Sequence, residues 1–255
     1  MLNATLIKRE VVGPTTAIMR VLPDDGVPDF LPGQYVALGL EADGPQASVA
    51  DVAASRAGKL IKRAYSVGSS PLNRDHLEFY VALAPEGELT SRLFALPEGG
   101  RVYVGPKVTG TFTLCDVPLE HNLILVATGT GIASFMSMLR TASTWVPGRL
   151  VTLVHGVRYS ADLAYRLELE SLMREQDGFF YQPIVSREDS AWTGRRGRVA
   201  KFFSENIIRP HNLFDHVFLC GNPGMVDEMQ ELFESRGFTL HSRRSPGNLH
   251  LEKYW

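Results

Sequence analysis

The stretch Arg63-Ala64-Tyr65-Ser66 holds the residue types best matched to a chemical task. On a strand alternate residues share a face, so Arg63 and Tyr65 project together: a permanent cation with five donors beside a flat ring carrying a hydroxyl. That pair suits a ligand with a diphosphate at one end and a planar heterocycle at the other, a description that a flavin dinucleotide fits. Alternating Arg and Tyr also decorate ordinary solvated strands, so the reading depends on a second group of residues about sixty positions later.

There the turn Thr128-Gly129-Thr130-Gly131-Ile132-Ala133-Ser134 succeeds an apolar run. Glycines let backbone approach a ligand, and a helix N-terminus offers amide donors and partial positive charge to phosphate. The third glycine of the dinucleotide fingerprint is replaced by Ser134, and a glycine pair also serves any tight strand-to-helix turn. The next strand ends in His155-Gly156-Val157-Arg158, where an NAD site usually places an acid for the ribose; a third ends in Ser186-Arg187, and Arg195 follows in Trp192-Thr193-Gly194-Arg195. Arg158, Arg187 and Arg195 would hold a 2′-phosphate by charge-assisted bonds, which favours NADP over NAD, although single loop arginines are commonly solvated. A fourth strand ends in Cys220-Gly221-Asn222-Pro223-Gly224-Met225, where a nicotinamide would reach if the pyrophosphate rested on Gly129 to Ala133. Cys220 reads equally as a small buried residue. Leu251-Glu252-Lys253-Tyr254-Trp255 places two aromatics where a flat cofactor, or the protein's own core, would cover them.

The elements that must position these residues fall into two patterns. Up to about Leu114, strand-length apolar runs (Ala4 to Val12, Thr16 to Val21, Tyr35 to Leu40, Ile61 to Val67, His76 to Ala82, Arg101 to Gly105) alternate with Gly/Pro turns, and only Leu89 to Leu96 reads as a short helix. This predicts an antiparallel β-barrel or sandwich. Gly44 to Gly58 reads as a long loop. From His121, strand signals at Asn122 to Ala127, Leu150 to Val154, Phe179 to Val185 and Val217 to Cys220 alternate with helical patterns at Ile132 to Thr144, Ala161 to Arg174, Val199 to Ser204 and Met225 to Arg236. Such alternation predicts an α/β doubly wound parallel sheet, with ligands at the carboxyl ends of its strands.

Composition narrows the function classes. The chain has 255 residues, enough for two domains, and its net charge of −2 gives no reason to expect nucleic acid or an anionic membrane as partner. Only two cysteines occur, far apart, so an iron-sulfur cluster or structural zinc is not expected and a reducing compartment is. The N-terminus lacks the apolar core of a signal peptide, and the uncharged run from Asn122 to Leu139 is interrupted by Thr128 to Gly131, so neither secretion nor membrane insertion is expected.

In order along the chain, Arg63-Ala64-Tyr65-Ser66, Gly129-Thr130-Gly131-Ile132-Ala133, Val157-Arg158-Tyr159, Ser186-Arg187-Glu188, Thr193-Gly194-Arg195, Cys220-Gly221-Asn222-Pro223-Gly224-Met225 and the aromatic C-terminus resemble the bacterial ferredoxin/flavodoxin-NADP reductase family, part of the plant-type ferredoxin-NADP reductase superfamily. The resemblance covers almost the whole chain. It implies an FAD-binding β-barrel over residues 1–117 and an NADP-binding domain with a five-stranded parallel sheet over 118–255. In the first, Arg63 would bind the FAD diphosphate, with Ala64 beside it, Tyr65 would pack on the isoalloxazine and Ser66 would lie near flavin N5. Gly87, Leu89, Thr90 and Ser91 would add a second phosphate contact, and Thr109, Gly110 and Thr111 would line the cofactor. In the second, Thr130, Gly131, Ile132, Arg158, Arg187, Arg195, Gly221, Asn222 and Met225 would hold NADP(H). Tyr254 would cover the other flavin face and Trp255 the adenine. Tyr65, Ser66, Cys220 and Tyr254 are the residues expected at the chemistry.

The implied reaction is hydride transfer from NADPH to flavin N5, then single-electron steps to a small carrier, ferredoxin or flavodoxin, by a monomeric cytoplasmic enzyme. Lys62, Lys107, Arg243, Arg244 and Lys253 are candidates for steering an acidic carrier. Two other readings use the same scaffold: an NAD(P)H-dependent flavin or ferric reductase, and a non-catalytic electron-transfer subunit. No Ser-His-Asp group, carboxylate pair or His-rich metal motif is evident, and hydride transfer between stacked rings needs none.

Overall fold

The computed structural model describes residues 1–42, 59–84, 86–187 and 192–253. The Gly44 to Gly58 insert, Glu188, Tyr254 and Trp255 lie outside the described residues. The chain divides into two compact units, Met1–Thr111 and Phe112–Trp255.

The first unit carries β1 (Ala4–Gly13), β2 (Thr16–Pro23), β3 (Tyr35–Glu41), β4 (Leu60–Ser66), β5 (Leu77–Ala82), helix α1 (Glu88–Ala95) and β6 (Arg101–Val104). Its strands form a six-stranded sheet in the order β4-β3-β6-β1-β2-β5, and every pairing is antiparallel. Alternation puts Ala4 and Leu6 of β1, Met19 and Val21 of β2, Val36, Leu38 and Leu40 of β3 and Phe79 of β5 into one apolar core, and Leu89 and Leu93 of α1 close over it. The register sets Tyr65 opposite Val36 and Arg63 opposite Leu38.

The second unit carries β7 (Asn122–Thr128), α2 (Ile132–Leu139), β8 (Val151–Val157), α3 (Arg166–Glu175), β9 (Phe179–Val185), β10 (Arg195–Arg196), α4 (Val199–Ser204), β11 (Asp215–Gly221), α5 (Pro223–Glu234) and β12 (Leu249–Lys253). The sheet order is β10-β9-β8-β7-β11-β12, all parallel. Instead of the five expected strands, six segments pair. At one edge lies the two-residue β10, too short to leave a sequence pattern, and at the other β12, whose Leu-His-Leu-Glu-Lys is too polar to read as a buried strand. This sheet starts at β7, winds outward through β8 and β9, then crosses back to β11, so the direction of winding reverses between β7 and β11. Such a switch point opens a crevice at the carboxyl ends of the two strands.

Two helices are shorter than their sequence pattern, and side chains explain both. The pattern from Ile132 to Thr144 ends as an α-helix at Leu139, because the next residues bond its last carbonyls. Thr141 Oγ1 donates to Ser137 O (2.7 Å), Thr144 Oγ1 to Met138 O (2.6 Å) and Trp145 Nε1 to Leu139 O (3.0 Å). The pattern from Ala161 begins as an α-helix only at Arg166, since Tyr165 takes a left-handed φ of 61°.

Candidate functional site

In the first unit the candidate residues gather around the end of β4. Arg63 is exposed, and its Nη1 donates to the Lys62 carbonyl (2.8 Å). Tyr65 is half-buried, and its ring meets Phe79 edge-on at 6.4 Å. Burial pushes its phenol up to about 12, and the neighbouring Arg63 cation pulls it back only in part. Ser66 is buried opposite Tyr35, which exchanges backbone hydrogen bonds with Thr109 on its other side (2.8 and 2.9 Å). Thr109 therefore lies one strand across from Ser66. Gly110 has φ +125° and accepts from Gln34 Nε2 at 3.1 Å, and Thr111 is the unit's last residue.

Gly87 caps α1, which packs on β3 and β4. Leu89 is turned into the core rather than outward. Thr90 Oγ1 accepts from Ala84 N (3.0 Å) and Ser91 Oγ donates to Gly87 O (2.8 Å), so both hydroxyls are spent on the local turn. A Cβ at Gly87 would sit 2.8 Å from Thr90 Oγ1, which is why that turn takes glycine.

In the second unit the candidate turns meet at the β7/β11 crevice. A Cβ on Gly131 would lie 2.4 Å from Cys220 O, and one on Gly221 (φ +137°) 2.3 Å from Thr128 Oγ1; only glycines allow these turns to touch. Thr128 Oγ1 in turn accepts from Asn222 N at 2.9 Å. Asn222 caps α5, its Oδ1 accepting from Gly224 and Met225 N–H (3.0 and 3.4 Å), with Pro223 next. Thr130 is half-buried and Ile132 buried at the head of α2. Gly129 is exposed with φ +54°, and a Cβ there would meet nothing within 4 Å. The turn is thus sealed inward at Gly131 and open outward at Gly129, a shape that admits a phosphate against backbone.

Of the three arginines, the backbone brings two together: Arg187 N donates to Arg158 O at 2.9 Å, and both are exposed. Arg195 has its bonds elsewhere. Its register partner is Ile184, its Nε donates to Gln182 Oε1 (3.0 Å) and its guanidinium stacks 4.9 Å from the Phe202 ring. The turn before it is held by Trp192, whose Nε1 donates to Arg195 O at 2.8 Å. Two exposed guanidiniums at strand ends beside an open glycine turn, and an exposed guanidinium beside a half-buried phenol in the first unit, are donor sets that fit a phosphorylated dinucleotide in each.

Sequence reasoning missed Glu252. On β11 and β12, Cys220 is the register partner of Glu252 and Phe218 of His250, so the even-numbered residues line one face. At its carboxyl end Cys220, Glu252 and Ser134 meet; at its amino end lie His216, His250 and His241. A single acid after Leu-His-Leu was the only signal in the sequence, and it becomes meaningful once β12 is seen to pair with β11. Among the carrier-steering candidates, Lys253 is tied to Asp227 (2.6 Å) and Lys62 lies over the Tyr103 ring (5.5 Å), while Lys107, Arg243 and Arg244 are exposed. Among the described residues no group of side chains is arranged to hold a metal, and no helix is long and apolar enough to cross a membrane.

Known proteins resemble this chain in fold and sequence. Residues 125–231 match the oxidoreductase NAD-binding domain model. The ferredoxin NADP+ reductase of Neisseria gonorrhoeae, solved with bound FAD and NADP, superposes with a TM-score of 0.82 at 24% identity, over 98% of this chain and 97% of that one. The flavodoxin/ferredoxin–NADP reductase of Escherichia coli K12 is 36% identical over 249 residues, 94% of each chain. The ferredoxin–NADP reductase of Pseudomonas aeruginosa is 34% identical over 88% of this chain and 86% of its own. With such relatives matched along nearly their full length, the chain belongs to the ferredoxin/flavodoxin–NADP reductase family.

Proposed function

We propose that the protein is an FAD-dependent oxidoreductase that carries electrons between NADPH and a one-electron carrier protein, ferredoxin or flavodoxin. The observation that carries this reading is the pair of glycine turns after β7 and β11, touching at Gly131 and Gly221 and open at Gly129, with Arg158 and Arg187 joined through their backbones at the ends of the next two strands. Together they supply what a pyridine dinucleotide with an extra phosphate needs: backbone donors for the pyrophosphate and cations for the 2′-phosphate.

In the first unit, whose sheet we take to close into a barrel through the Gly68 N–H to Glu78 carbonyl bond (2.7 Å), Arg63 neutralises the FAD diphosphate and Tyr65 packs on the flavin. Ser66 presents its hydroxyl near the flavin edge. The α1 start with Gly87, Thr90 and Ser91, and the Thr109 to Thr111 segment, complete the cofactor's surroundings. In the second unit Thr130, Gly131 and Ile132 take the pyrophosphate, Arg158 and Arg187 the 2′-phosphate, and Gly221, Asn222 and Met225 bound the nicotinamide side; Arg195 joins the phosphate by exchanging Gln182 for it. Tyr254 and Trp255 follow directly on β12 and are assigned to the flavin and adenine by family likeness alone. When bound, the flavin supplies the exchange between a two-electron donor and a one-electron acceptor. The chain's own residues place the rings, exclude water and fix the charges. The enzyme works as a monomer in the cytoplasm.

Anaerobic mixing of the FAD-loaded protein with NADPH and with NADH tests this. NADPH should bleach the flavin at least about tenfold faster at equal concentration, as loss of charge-assisted bonds to the 2′-phosphate would weaken NADH. Ferredoxin or flavodoxin should then restore the colour. A folded preparation that stays colourless when offered FAD overturns the proposal.

A further inference from the structure

Ser134, Cys220 and Glu252 reach one point from three elements, α2, β11 and β12. Ser134 Oγ lies 3.2 Å from Glu252 Oε2 and 3.6 Å from Cys220 Sγ, and Cys220 Sγ lies 3.8 Å from the same carboxylate oxygen. Ser134 and Cys220 are fully buried and Glu252 is half-buried. A hydroxyl has one proton to give and lone pairs to accept with, whereas an ionised carboxylate only accepts. The Ser134 proton therefore points to Glu252, and its oxygen is left facing the thiol.

Helix propensity and burial alone do not favour a hydroxyl at this place: α2 is Ile-Ala-Ser-Phe-Met-Ser-Met-Leu, buried over its whole length, and alanine is both the better helix former and the easier residue to bury. Two of the hydroxyl's neighbours, Cys220 and Glu252, lie outside the helix, at the ends of the two strands beside it. Cys220 leads directly into the Gly221 turn that bounds the crevice, and Glu252 is two residues from Tyr254.

We propose that Ser134 is a positioning residue, which fixes the Glu252 carboxylate and the Cys220 thiol in one orientation at the nicotinamide end of the crevice and acts on the reaction only through them. The proposal rests on the reading of that crevice as the pyridine-nucleotide site. Without the hydroxyl the carboxylate loses a donor at 3.2 Å and keeps the weaker Cys220 thiol at 3.8 Å. Loss of a donor to the charged form raises a carboxyl's proton affinity.

The test uses the FAD-loaded full chain as wild type, Ser134→Ala, Glu252→Gln and the double variant. Ser134→Ala removes one atom and favours the helix, so its thermal melt should match wild type. It should lower kcat for NADPH oxidation by about tenfold with KM for NADPH changed less than about twofold, as for loss of a hydrogen bond to a charged group. The acid limb of its pH profile should move upward. In the Glu252→Gln background the same change should matter less than about twofold. A readout free of turnover is alkylation of Cys220 by iodoacetamide, mapped by peptide mass spectrometry with the exposed Cys115 as internal reference; Ser134→Ala should speed it several-fold. Equal losses in both backgrounds, an unmoved acid limb and unchanged Cys220 alkylation would overturn the positioning role. Wild-type protein that ignores NADPH would instead sink the functional reading, and the alkylation result would still decide whether Ser134 holds Cys220.

Discussion

At the scale of single residues, the site separates side chains kept for their shape from those kept for their charge. Tyr65 belongs to the first kind: with its phenol near 12 it is neutral throughout the working range, so its ring is the part a ligand meets. Tyr65→Phe should bind FAD within about threefold of wild type, and Tyr65→Ala about tenfold or more weaker, as expected for lost aromatic contact. Fluorescence titration of FAD into the apoprotein checks this; equal losses would make the hydroxyl the important part. The glycines give a second contrast. Gly131→Ala forces a Cβ to within 2.4 Å of Cys220 O and should destabilise the fold by about 1–3 kcal/mol, since backbone on the neighbouring strand cannot step aside. Gly129→Ala meets no neighbour and bears only its φ of +54°, about 1–2 kcal/mol. Ligand affinity should separate the two where urea midpoints overlap, since a methyl on Gly129 points to open space on the side the proposed phosphate would approach and one on Gly131 points at Cys220 O. The glycine turns and the Arg-x-Tyr-Ser stretch stand out in the sequence as short contiguous motifs, although the contacts that require Gly131 and Gly221, with Cys220 and Thr128, are long-range. Glu252 does not stand out, because its partners Cys220 and Ser134 are joined to it only by strand register and helix packing.

At the scale of elements, period-two alternation on β11 and β12 builds a column of imidazoles at the amino end of the same face. His216 Nδ1 and His250 Nε2 are 3.0 Å apart, His250 stacks on Phe218 at 4.0 Å and on His241 at 4.4 Å, and His121 lies 5.3 Å from His216. Asp116, 3.4 Å from His241, and Asp215 bring negative charge, while Arg149 adds a positive one. Burial, then the neighbouring imidazoles, hold His250 down to about 3 and His216 to about 4; His155, enclosed on β8, is held to about 4 by burial, against a backbone bond to Gly129. Unfolded, each would titrate near about 6.5. Depressed folded values mean that the unfolded chain binds more protons between those limits, so stability is complete above about pH 6.5 and declines as pH falls toward 4. By about pH 5 one such histidine withdraws about 2 kcal/mol, and His216 and His250, being coupled, withdraw less than twice that. The urea midpoint should therefore drop between about pH 7 and about pH 5, and His250→Phe, which keeps the stack on Phe218, should flatten the drop; an equal slope in both would refute the assignment. No local pattern announces this column. The positions of β7, β8, β9 and β11 were legible from continuous apolar runs, as was α4 at Val199–Ser204, whereas the end of α2 was not, because Thr141, Thr144 and Trp145 close it by bonds that reach back four to six residues.

At the scale of the whole molecule, the sequence predicts two grammars, and the chain divides into two compact units. The division between them is the part that sequence places loosely, since the strand pattern runs to about Leu114 and the alternating one begins at His121. In the structure residues 112–121 group with the second unit. Phe112 meets Phe135 at 5.8 Å and Phe218 at 5.3 Å, Arg149 donates to the carbonyls of Pro118 (2.8 Å) and His121 (2.9 Å), and Asp116 reaches His241. A buried phenylalanine is worth about 3–5 kcal/mol against its removal, a large part of the stability of a domain this size. A fragment of residues 112–255 should therefore unfold cooperatively in urea, and one of residues 118–255 should be less stable by about 3–5 kcal/mol or fail to fold. Phe112→Ala in the longer fragment should reproduce most of that loss, since it removes the ring and leaves the rest of the segment in place. If the two fragments unfold at the same urea concentration, Phe112 does not seal the sheet's face, and the second unit begins where its first strand does.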